Sequence, residues 1–398
     1  MPNGNLEPVF DGDNHYYEAV DAFTRHLDPS TGDRTIRWVE VAKGRRYHLV
    51  GGKISRVISN PTFDPISPPG AAYDFFHGNP GKQKFEEILM GQREPIRSEY
   101  RDRDARIKKM DSQGVDCCWL FPTLGVLYEE LLRHDPWAVM QSFRAFNRWL
   151  QEDWGCNYKD RIFAAPYLSL ADVDEAVVEL EWALKHDARV ICIRPAAPTT
   201  IAGQLSPAAP LFDPFWARVN EAGITVVLHA SDSGYSTNGY TAQEHRGNAT
   251  LGEDGKPSIK LLSAQRSISD FLATVIFDKL FDRFANLRFI SVENGSSFIP
   301  NLFKQIDLAA ARVPGYFSEP PGETFLRHVW VNPFWEDDVS EMIDLMGEDR
   351  VVFGSDWPHL EGLVQPRDIL QHMDGVEGKA RGKFLYENAK FLNTRRPG

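Results

Sequence analysis

Short apolar segments recur along this chain at intervals that leave room for a helix between them, and this repetition restricts the fold more than any other feature. Most of the segments are continuously apolar rather than alternating, as expected of strands buried on both faces. The eight segments are 8–13, 115–122, 162–169, 189–195, 223–230, 287–294, 328–334 and 350–356. The intervening stretch 172–187 has a helical period, with Val173, Ala176, Val177 and Leu180 on one stripe. The alternation predicts an α/β fold of the (β/α)8 TIM-barrel type. A doubly wound sheet is the alternative, but no Gly-rich phosphate-binding turn accompanies it.

The predicted barrel is interrupted once, after its first strand. Residues 20–105 separate the first strand from the next helix–strand unit, and within them 35–54 alternates apolar and polar residues about Lys43-Gly44, the pattern of a β-hairpin. The remainder is a loop rich in Pro, Gly and aromatic residues. Since barrel enzymes build substrate sites from such loops, we expect this insertion to be a lid or an interface within a single domain, 1–398.

Charge and composition exclude several kinds of partner. With a formal net charge of -12, the surface should repel nucleic acid and anionic lipid. No run approaches the roughly 20 apolar residues of a membrane span. The four cysteines form no C-x-x-C pair, so we expect a reduced, cytoplasmic protein. The inserted hairpin is compatible with a homodimer, or with a heteromer formed with a homologue.

Acids and imidazoles stand at the carboxyl ends of four of the predicted strands. Each is weak evidence alone, because a single Asp can cap a helix and a single strand-end His is often structural. Together they predict a metal site, since unpaired charges beside an apolar core are costly. The candidate ligands are Asp13 and His15 (strand one), His229 (strand five), Glu293 (strand six), and Asp356 with the following His359 (strand eight).

The motifs DGDNH, VVLHAS, SVENG and GSDWPH resemble the metal-binding motifs of the amidohydrolase superfamily, in the branch that includes metal-dependent decarboxylases. The resemblance spans roughly residues 8–392 and implies the ligands Asp13, His15, His229, Glu293 and Asp356. Asp13 and Glu293 stand where the family has histidine. The fourth strand ends in Arg194 instead of the lysine that some members carbamylate. The added carboxylates favour two divalent ions, Fe or Mn, over a single Zn, which remains possible.

The combination of D-x-H with E-N-G and S-D-x-P-H resembles a subgroup that contains dinuclear non-haem oxygenases. It implies a monooxygenase that uses an Fe/Fe or Mn/Fe pair, O2 and an electron donor to hydroxylate an aliphatic C–H bond of a small molecule. The alternative is a hydrolase or non-oxidative decarboxylase with one divalent ion, in which Asp356 moves the proton. A third possibility is an inactive or regulatory partner subunit of a homologue. Catalytic roles fall to Asp356, Glu293 and His229.

Further residues could contact the substrate or orient the ligands. Arg194 could pair with a substrate carboxylate or with an acid of the site. Glu18, with Tyr17, could orient metal ligands. His77 and His245 lie on the expected lid loops and could reach the substrate, although such loop histidines are more often solvated.

Overall fold

The computed structural model describes residues 6–58, 60–235 and 258–398. The strands there are β1 Phe10–Tyr16, β2 Ile36–Val41, β3 Arg45–Val50, β4 Lys53–Ile54, β5 Cys117–Pro122, β6 Ile162–Ala164, β7 Val190–Ile193, β8 Thr199–Thr200, β9 Gly203–Gln204, β10 Thr225–His229, β11 Arg288–Val292 and β12 Val329–Val331. The α-helices there are α1 Tyr73–Phe76, α2 Phe85–Met90, α3 Arg103–Gln113, α4 Gly125–Leu132, α5 Pro136–Asp153, α6 Val173–Lys185, α7 Asp213–Ala222, α8 Ser263–Phe277, α9 Leu280–Arg283, α10 Ile299–Ala311, α11 Pro321–His328, α12 Val339–Met346, α13 Gly378–Gly382 and α14 Asn388–Leu392.

Aspartate side chains set the start of several barrel helices. Asp102, Asp135, Asp172 and Asp338 each accept a hydrogen bond from a backbone N–H in the first turn of α3, α5, α6 and α12, respectively. Such a cap satisfies one of the N–H groups that a helix start leaves unpaired, and losing it typically costs about 1 kcal/mol. Each cap fixes the residue at which its helix begins and the preceding loop ends.

Seven of the predicted barrel strands form two parallel sheets, β1-β5-β6 and β7-β10-β11-β12. The sheets are joined on one side where the N–H of Leu168 donates to the carbonyl of Cys192 at 2.9 Å. On the other side the segment that follows α12 continues the ring, because the N–H of Val352 donates to the carbonyl of Val331 at 2.8 Å. This segment corresponds to the eighth predicted strand.

The ring closes between the first and eighth segments. The N–H of Gly12 donates to the carbonyl of Phe353 at 2.8 Å, which completes eight parallel segments. Two glycines permit this close approach: a Cβ on Gly12 would lie 2.8 Å from the carbonyl oxygen of Phe353, and one on Gly354 would meet the Cβ of Asp13. The predicted TIM barrel is therefore confirmed, with Val9, Phe10, Ile191 and other strand residues buried in its core.

The predicted hairpin insertion is also confirmed. Strand β2 pairs antiparallel with β3, and the turn between them places Lys43 and Gly44 at positive φ, 67° and 69°. The insertion then returns to the barrel, where the N–H of Ala72 donates to the carbonyl of Leu360 at 2.8 Å. This contact attaches the insertion to the loop that follows the eighth strand. In the parts of the chain that are described, no helix is long and apolar enough to cross a membrane.

Candidate metal centre

Four side chains from three strand ends converge at the carboxyl-terminal mouth of the barrel. Asp13 and His15 lie on β1 and share one face, because side chains two residues apart on a strand point the same way. His229 is the last residue of β10, and Glu293 directly follows β11. One donor atom from each lies within 4.8 Å of all the others. We call these four residues the inner group.

The distances within the inner group fit a metal ion better than direct hydrogen bonding. The Nε2 of His15 lies 3.2 Å from Oδ1 of Asp13, and the Nε2 of His229 lies 3.2 Å from Oε2 of Glu293. Two further pairs are 3.6 Å apart: His15 Nε2 with Glu293 Oε2, and His229 Nε2 with Asp13 Oδ1. Ligands each about 2.1 Å from a tetrahedral ion lie about 3.4 Å from one another.

The same donor atoms lack other partners. Oδ1 of Asp13 and the Nε2 atoms of His15 and His229 are buried without a hydrogen bond within the described structure. Such orphaned atoms are rare in native interiors, since each costs the free energy of desolvation. The Nδ1–H of His229 donates to the carbonyl of Ala230 at 2.9 Å, which leaves Nε2 as the free acceptor. The inner group therefore fits a divalent cation.

Asp356 and His359 lie beside the inner group. Oδ1 of Asp356 lies 3.3 Å from Nε2 of His15 and 2.6 Å from Nδ1 of His359. The hydroxyl of Thr123 donates to the carbonyl of Tyr16 at 2.8 Å, so it accepts from Nε2–H of His359 at 3.0 Å. This arrangement directs Nδ1 of His359 toward Asp356.

A further acid, Glu361, was missed in the sequence. It completes a second set of donor atoms within 4.8 Å of one another, made of Glu293, Asp356, His359 and Glu361. We call this set the outer group; it shares only Glu293 with the inner group. The sole hint was its position two residues beyond His359 in the motif WPHLEG.

The backbone at two of these carboxylates is strained. Glu293 has φ 58° and Asp356 has φ 55°, in the left-handed region that residues with a Cβ rarely adopt. Neighbouring hydrogen bonds hold them: Nδ2 of Asn294 donates to the carbonyl of Leu228 at 3.0 Å, and the N–H of Asp356 donates to the carbonyl of Asp13 at 2.8 Å. Such outliers persist where the surroundings over-determine them, often at functional sites.

Protonation within the site reflects a concentration of negative charge. Burial opposes ionisation of Asp13, but the nearby imidazoles of His15 and His229 outweigh this and hold its pKa below the usual range. Burial lowers the pKa of His15 to about 3, so its imidazole is neutral and able to bind a metal. Burial first and Asp356 second raise the pKa of Glu293 well above its usual range. Burial likewise raises the pKa of Asp356. A bound cation would compensate these charges.

Glu18 and Tyr17 lie near the site without contacting the inner group. Oε1 of Glu18 accepts the N–H groups of Leu124 and Gly125 at 2.7 and 3.0 Å, at the start of α4. Burial raises the pKa of Glu18 to about 7. The hydroxyl of Tyr17 donates to the carbonyl of Pro358 at 3.1 Å. Glu18 therefore positions α4, and Tyr17 positions the loop that carries His359.

Arg194 pairs with acids of α4, not with acids of the metal centre, which corrects one of the two expectations for it. Its Nη1 lies 2.7 Å from Oε2 of Glu130, and its Nε lies 3.4 Å from Oε2 of Glu129. The same Nη1 donates to the carbonyl of Asp232 at 2.9 Å. Because Arg194 is almost fully buried among these partners, the contacts point to a structural role for it.

The two loop histidines have different outcomes. His77 stacks on Tyr73 and Trp335, with ring centroids 5.8 and 5.4 Å away, and does not line the cavity described below. His77 thus contributes to the packing between the insertion and the loop after β12, and its contact with substrate stays a prediction. His245 lies outside the described residues.

A cavity of about 610 Å³ opens above the metal centre. His15, Glu293, His359 and Glu361 contribute to one part of its wall. The insertion contributes much of the rest through residues between 56 and 93, and α4 adds Val126 and Leu127. The insertion therefore shapes the space in front of the metal centre.

A profile of the amidohydrolase family matches residues 96–392. The chain is 38% identical to an amidohydrolase of known structure from Mycobacterium avium subsp. paratuberculosis K-10. The match covers 97% of this chain and 99% of the other chain, and the TM-score of the two structures is 0.90. The chain accordingly belongs to the amidohydrolase family. No match was found among curated proteins.

Two more distant structures share the fold. One is 5-carboxyvanillate decarboxylase from Sphingomonas paucimobilis, with 15% identity, a TM-score of 0.61, and coverage of 98% of this chain and 100% of that one. The other is a dihydroxybenzoic acid decarboxylase from Polaromonas sp. JS666, whose structure contains manganese and the inhibitor 2-nitroresorcinol. It has 18% identity and a TM-score of 0.57, and the match covers 81% of this chain and 93% of that one. At these identities the two structures show a shared fold and leave the reaction of this chain open.

Proposed function

We propose that this chain is a divalent-metal-dependent enzyme that decarboxylates a small-molecule acid without an oxidant, with hydrolysis at the same site as the alternative. The observation that carries the proposal is the inner group, because the donor atoms of Asp13, His15 and His229 are buried without other partners and His15 and Glu293 line the cavity. The decarboxylases that share the fold, one with bound manganese, support the reaction type. The complete inner group argues against an inactive partner subunit.

The residues divide into metal ligands and a proton-transfer pair. Asp13, His15, His229 and Glu293 would hold the ion. When bound, a divalent ion supplies positive charge that orients the substrate carboxylate or carbonyl and stabilises the negative charge that develops.

Decarboxylation also needs an acid. The C–C bond breaks, its electron pair stays on carbon, CO2 leaves, and that carbon must take up a proton. Asp356 lies directly beside the inner group and is hydrogen-bonded to Nδ1 of His359 at 2.6 Å, so its carboxyl can deliver the proton and receive another through His359. In hydrolysis the same pair would accept a proton from water.

The test separates metal binding from proton transfer. Protein stripped with a chelator and reloaded with Mn²⁺ or Zn²⁺ is assayed without O2 for CO2 release from aromatic and aliphatic acids, and for hydrolysis of esters and amides. We expect activity only after reloading. Asp356→Asn should lose at least 100-fold in kcat while keeping metal affinity, since a general acid typically contributes 10²–10⁴-fold. Turnover by stripped protein, or an unchanged kcat in the variant, would overturn the assignment.

A dinuclear oxygenase is the second candidate, because the inner and outer groups overlap only at Glu293. Together they contain four carboxylates, a donor set suited to two hard ions such as Fe or Mn. This function needs O2 and an electron donor. Two equivalents of metal per chain with substrate-dependent O2 consumption would favour it. One equivalent with full turnover in the absence of O2 would rule it out.

A further inference from the structure

The cavity is larger than a one-ring acid needs. Its volume of about 610 Å³ lies within the roughly 300–1,000 Å³ typical of pockets for drug-sized ligands. The metal residues occupy only part of the wall, so a small acid held there would leave most of the cavity filled with water. The rest of the lining thus carries information about the substrate.

Most of that remaining wall is apolar, and the insertion is the largest single contributor to it. Phe63, Ile66, Phe85 and Leu89 line it from the insertion, and Leu127 lines it from α4. These side chains would exclude water from an aliphatic or aromatic body, and each CH2 group so buried increases affinity by up to about fourfold. The lining therefore fits an extended apolar body attached to the reacting group.

Cations line the cavity as well, although the chain carries a formal net charge of -12. Outside the two metal groups, the charged lining residues are Arg56, Arg93, Lys260 and Asp232. Arg56 makes no hydrogen bond or ion pair with any described residue. Arg93 uses its guanidinium on the carbonyl of Leu89, at 2.9 Å from Nε. Both arginines belong to the insertion and are exposed, so each retains donors for a ligand.

We propose that the substrate is an elongated amphipathic molecule with an anionic group at each end. One end reacts at the metal centre, the body lies along the apolar wall of the insertion, and the second anion is bound by Arg56 and Arg93. This proposal rests on the proposed function for the reacting end. Guanidinium groups suit the second end because they bind carboxylate and phosphate in a two-point geometry.

The test uses saturated acids that bind without reacting. Affinities of the Mn²⁺-loaded full chain are measured by calorimetry for α,ω-dicarboxylates of 6 to 14 carbons and for the monocarboxylates of equal length. We expect affinity to rise with length. The best dicarboxylate should bind at least tenfold more tightly than its monocarboxylate.

Two double variants test whether Arg56 and Arg93 bind the second anionic group of the ligand. Arg56→Gln with Arg93→Gln should remove the dicarboxylate preference. Arg45→Gln with Arg46→Gln, on β3 of the same insertion and outside the cavity lining, should keep it. Equal affinities of mono- and dicarboxylates, or equal losses in both double variants, would overturn the proposal. A phosphate-terminated acid distinguishes the source of the anion, since tighter binding than the dicarboxylate indicates a phosphorylated substrate.

A further pair of variants tests the apolar wall. Leu127→Trp should weaken the long acids more than the short ones, whereas Leu308→Trp, at an exposed position of α10, should change neither. Uniform weakening across lengths would contradict an apolar body at this wall. Because these acids do not react, failure of the proposed decarboxylation would leave the binding preferences intact, and loss of the preferences with metal-dependent turnover intact would overturn only the substrate class.

Discussion

Replacing Glu293 with glutamine should separate the contribution of the metal ion to stability from that of the surrounding fold. Oε2 of Glu293 lies 3.2 Å from Nε2 of His229 and 3.6 Å from Nε2 of His15, so the side chain faces the point where an ion would lie. Glu293→Gln preserves the size of the side chain and removes one of the two negative charges of the inner group. The left-handed backbone at this position is retained.

The expected loss of metal affinity in Glu293→Gln can be estimated from the role of Glu293 as a charged ligand of the inner group. Mutating groups that only orient a ligand typically costs 10–100-fold in metal affinity. Removing a charged ligand should therefore cost at least about 100-fold, which equals about 2.7 kcal/mol. At a metal concentration about 100 times the parent dissociation constant, the parent gains about 2.7 kcal/mol of stability on binding, and the variant should gain only about 0.4 kcal/mol.

In the metal-free protein, Glu293→Gln should not lower the free energy of unfolding and could raise it. The carboxylate of Glu293 then lies near Asp13 and Asp356 with no cation between them, so an amide in its place relieves repulsion. The metal-free variant should be as stable as the metal-free parent, or more stable. Urea unfolding with and without Mn²⁺, combined with calorimetric titration of the metal, measures both differences.

Glu361→Gln is the matched control, because Glu361 belongs only to the outer group. It should leave the first equivalent of metal unchanged, and it should remove a second equivalent if the parent binds one. The reasoning would be refuted if Glu293→Gln bound Mn²⁺ as tightly as the parent. It would also be refuted if the variant lost stability equally with and without metal, since Glu293 would then be structural.

Three further variants test other parts of the structure. Arg194→Met should lower the free energy of unfolding by about 3 kcal/mol, because it removes the buried cation that faces Glu129 and Glu130, and urea unfolding would show this. An equally stable variant with a raised KM would instead indicate a substrate role. Gly354→Ala should cost about 1–3 kcal/mol and weaken metal binding, because the added Cβ meets Asp13, whereas Gly382→Ala has open space and serves as its control. Burial lowers the pKa of His48 to about 3 from 6.5, so the unfolded chain takes up its proton first as the pH falls. The contribution of His48 to stability should therefore fall by about 1.4 kcal/mol per pH unit between about pH 6.5 and 3, and urea midpoints at pH 7 and 5 should differ less in His48→Gln.

The barrel was predictable because burial on both faces is visible in local composition. Each continuous apolar run had to become a buried strand, and the helices between them required a parallel arrangement. The prediction was less accurate at the third, seventh and eighth segments. β6 covers only Ile162–Ala164 of the predicted 162–169. β12 covers only Val329–Val331, and the eighth segment pairs through a few hydrogen bonds. Its residues Gly354, Ser355 and Asp356 serve close packing and the metal centre, which shortens the regular strand.

The inner group was predictable for a related reason. A parallel barrel brings all strand ends to one rim, so acids and histidines at those ends must meet. Glu361 could not be found in this way, because it lies beyond the strand, in a loop whose path depends on the contact between Ala72 and Leu360. Likewise, the partners of Arg194 lie more than 60 residues earlier on α4, and no local pattern connects them.

The two acids of the inner group, Asp13 and Glu293, lie in different backbone settings. Asp13 lies on β1 where the pairing with β5 shifts register between Asp11 and Asn14, and its Oδ1 lies 3.2 Å from Nε2 of His15. Glu293 lies just past its strand at φ 58°, and that backbone turn directs its carboxylate toward the same place. Both carboxylates lie close to the two imidazoles, so a cation meets ligands that are already together and little ordering opposes its binding. Exchanging histidine for a carboxylate at these positions thus changes chiefly the charge of the site. This makes the metal content of Glu293→Gln, relative to the parent, the most direct measure of what the two acids contribute.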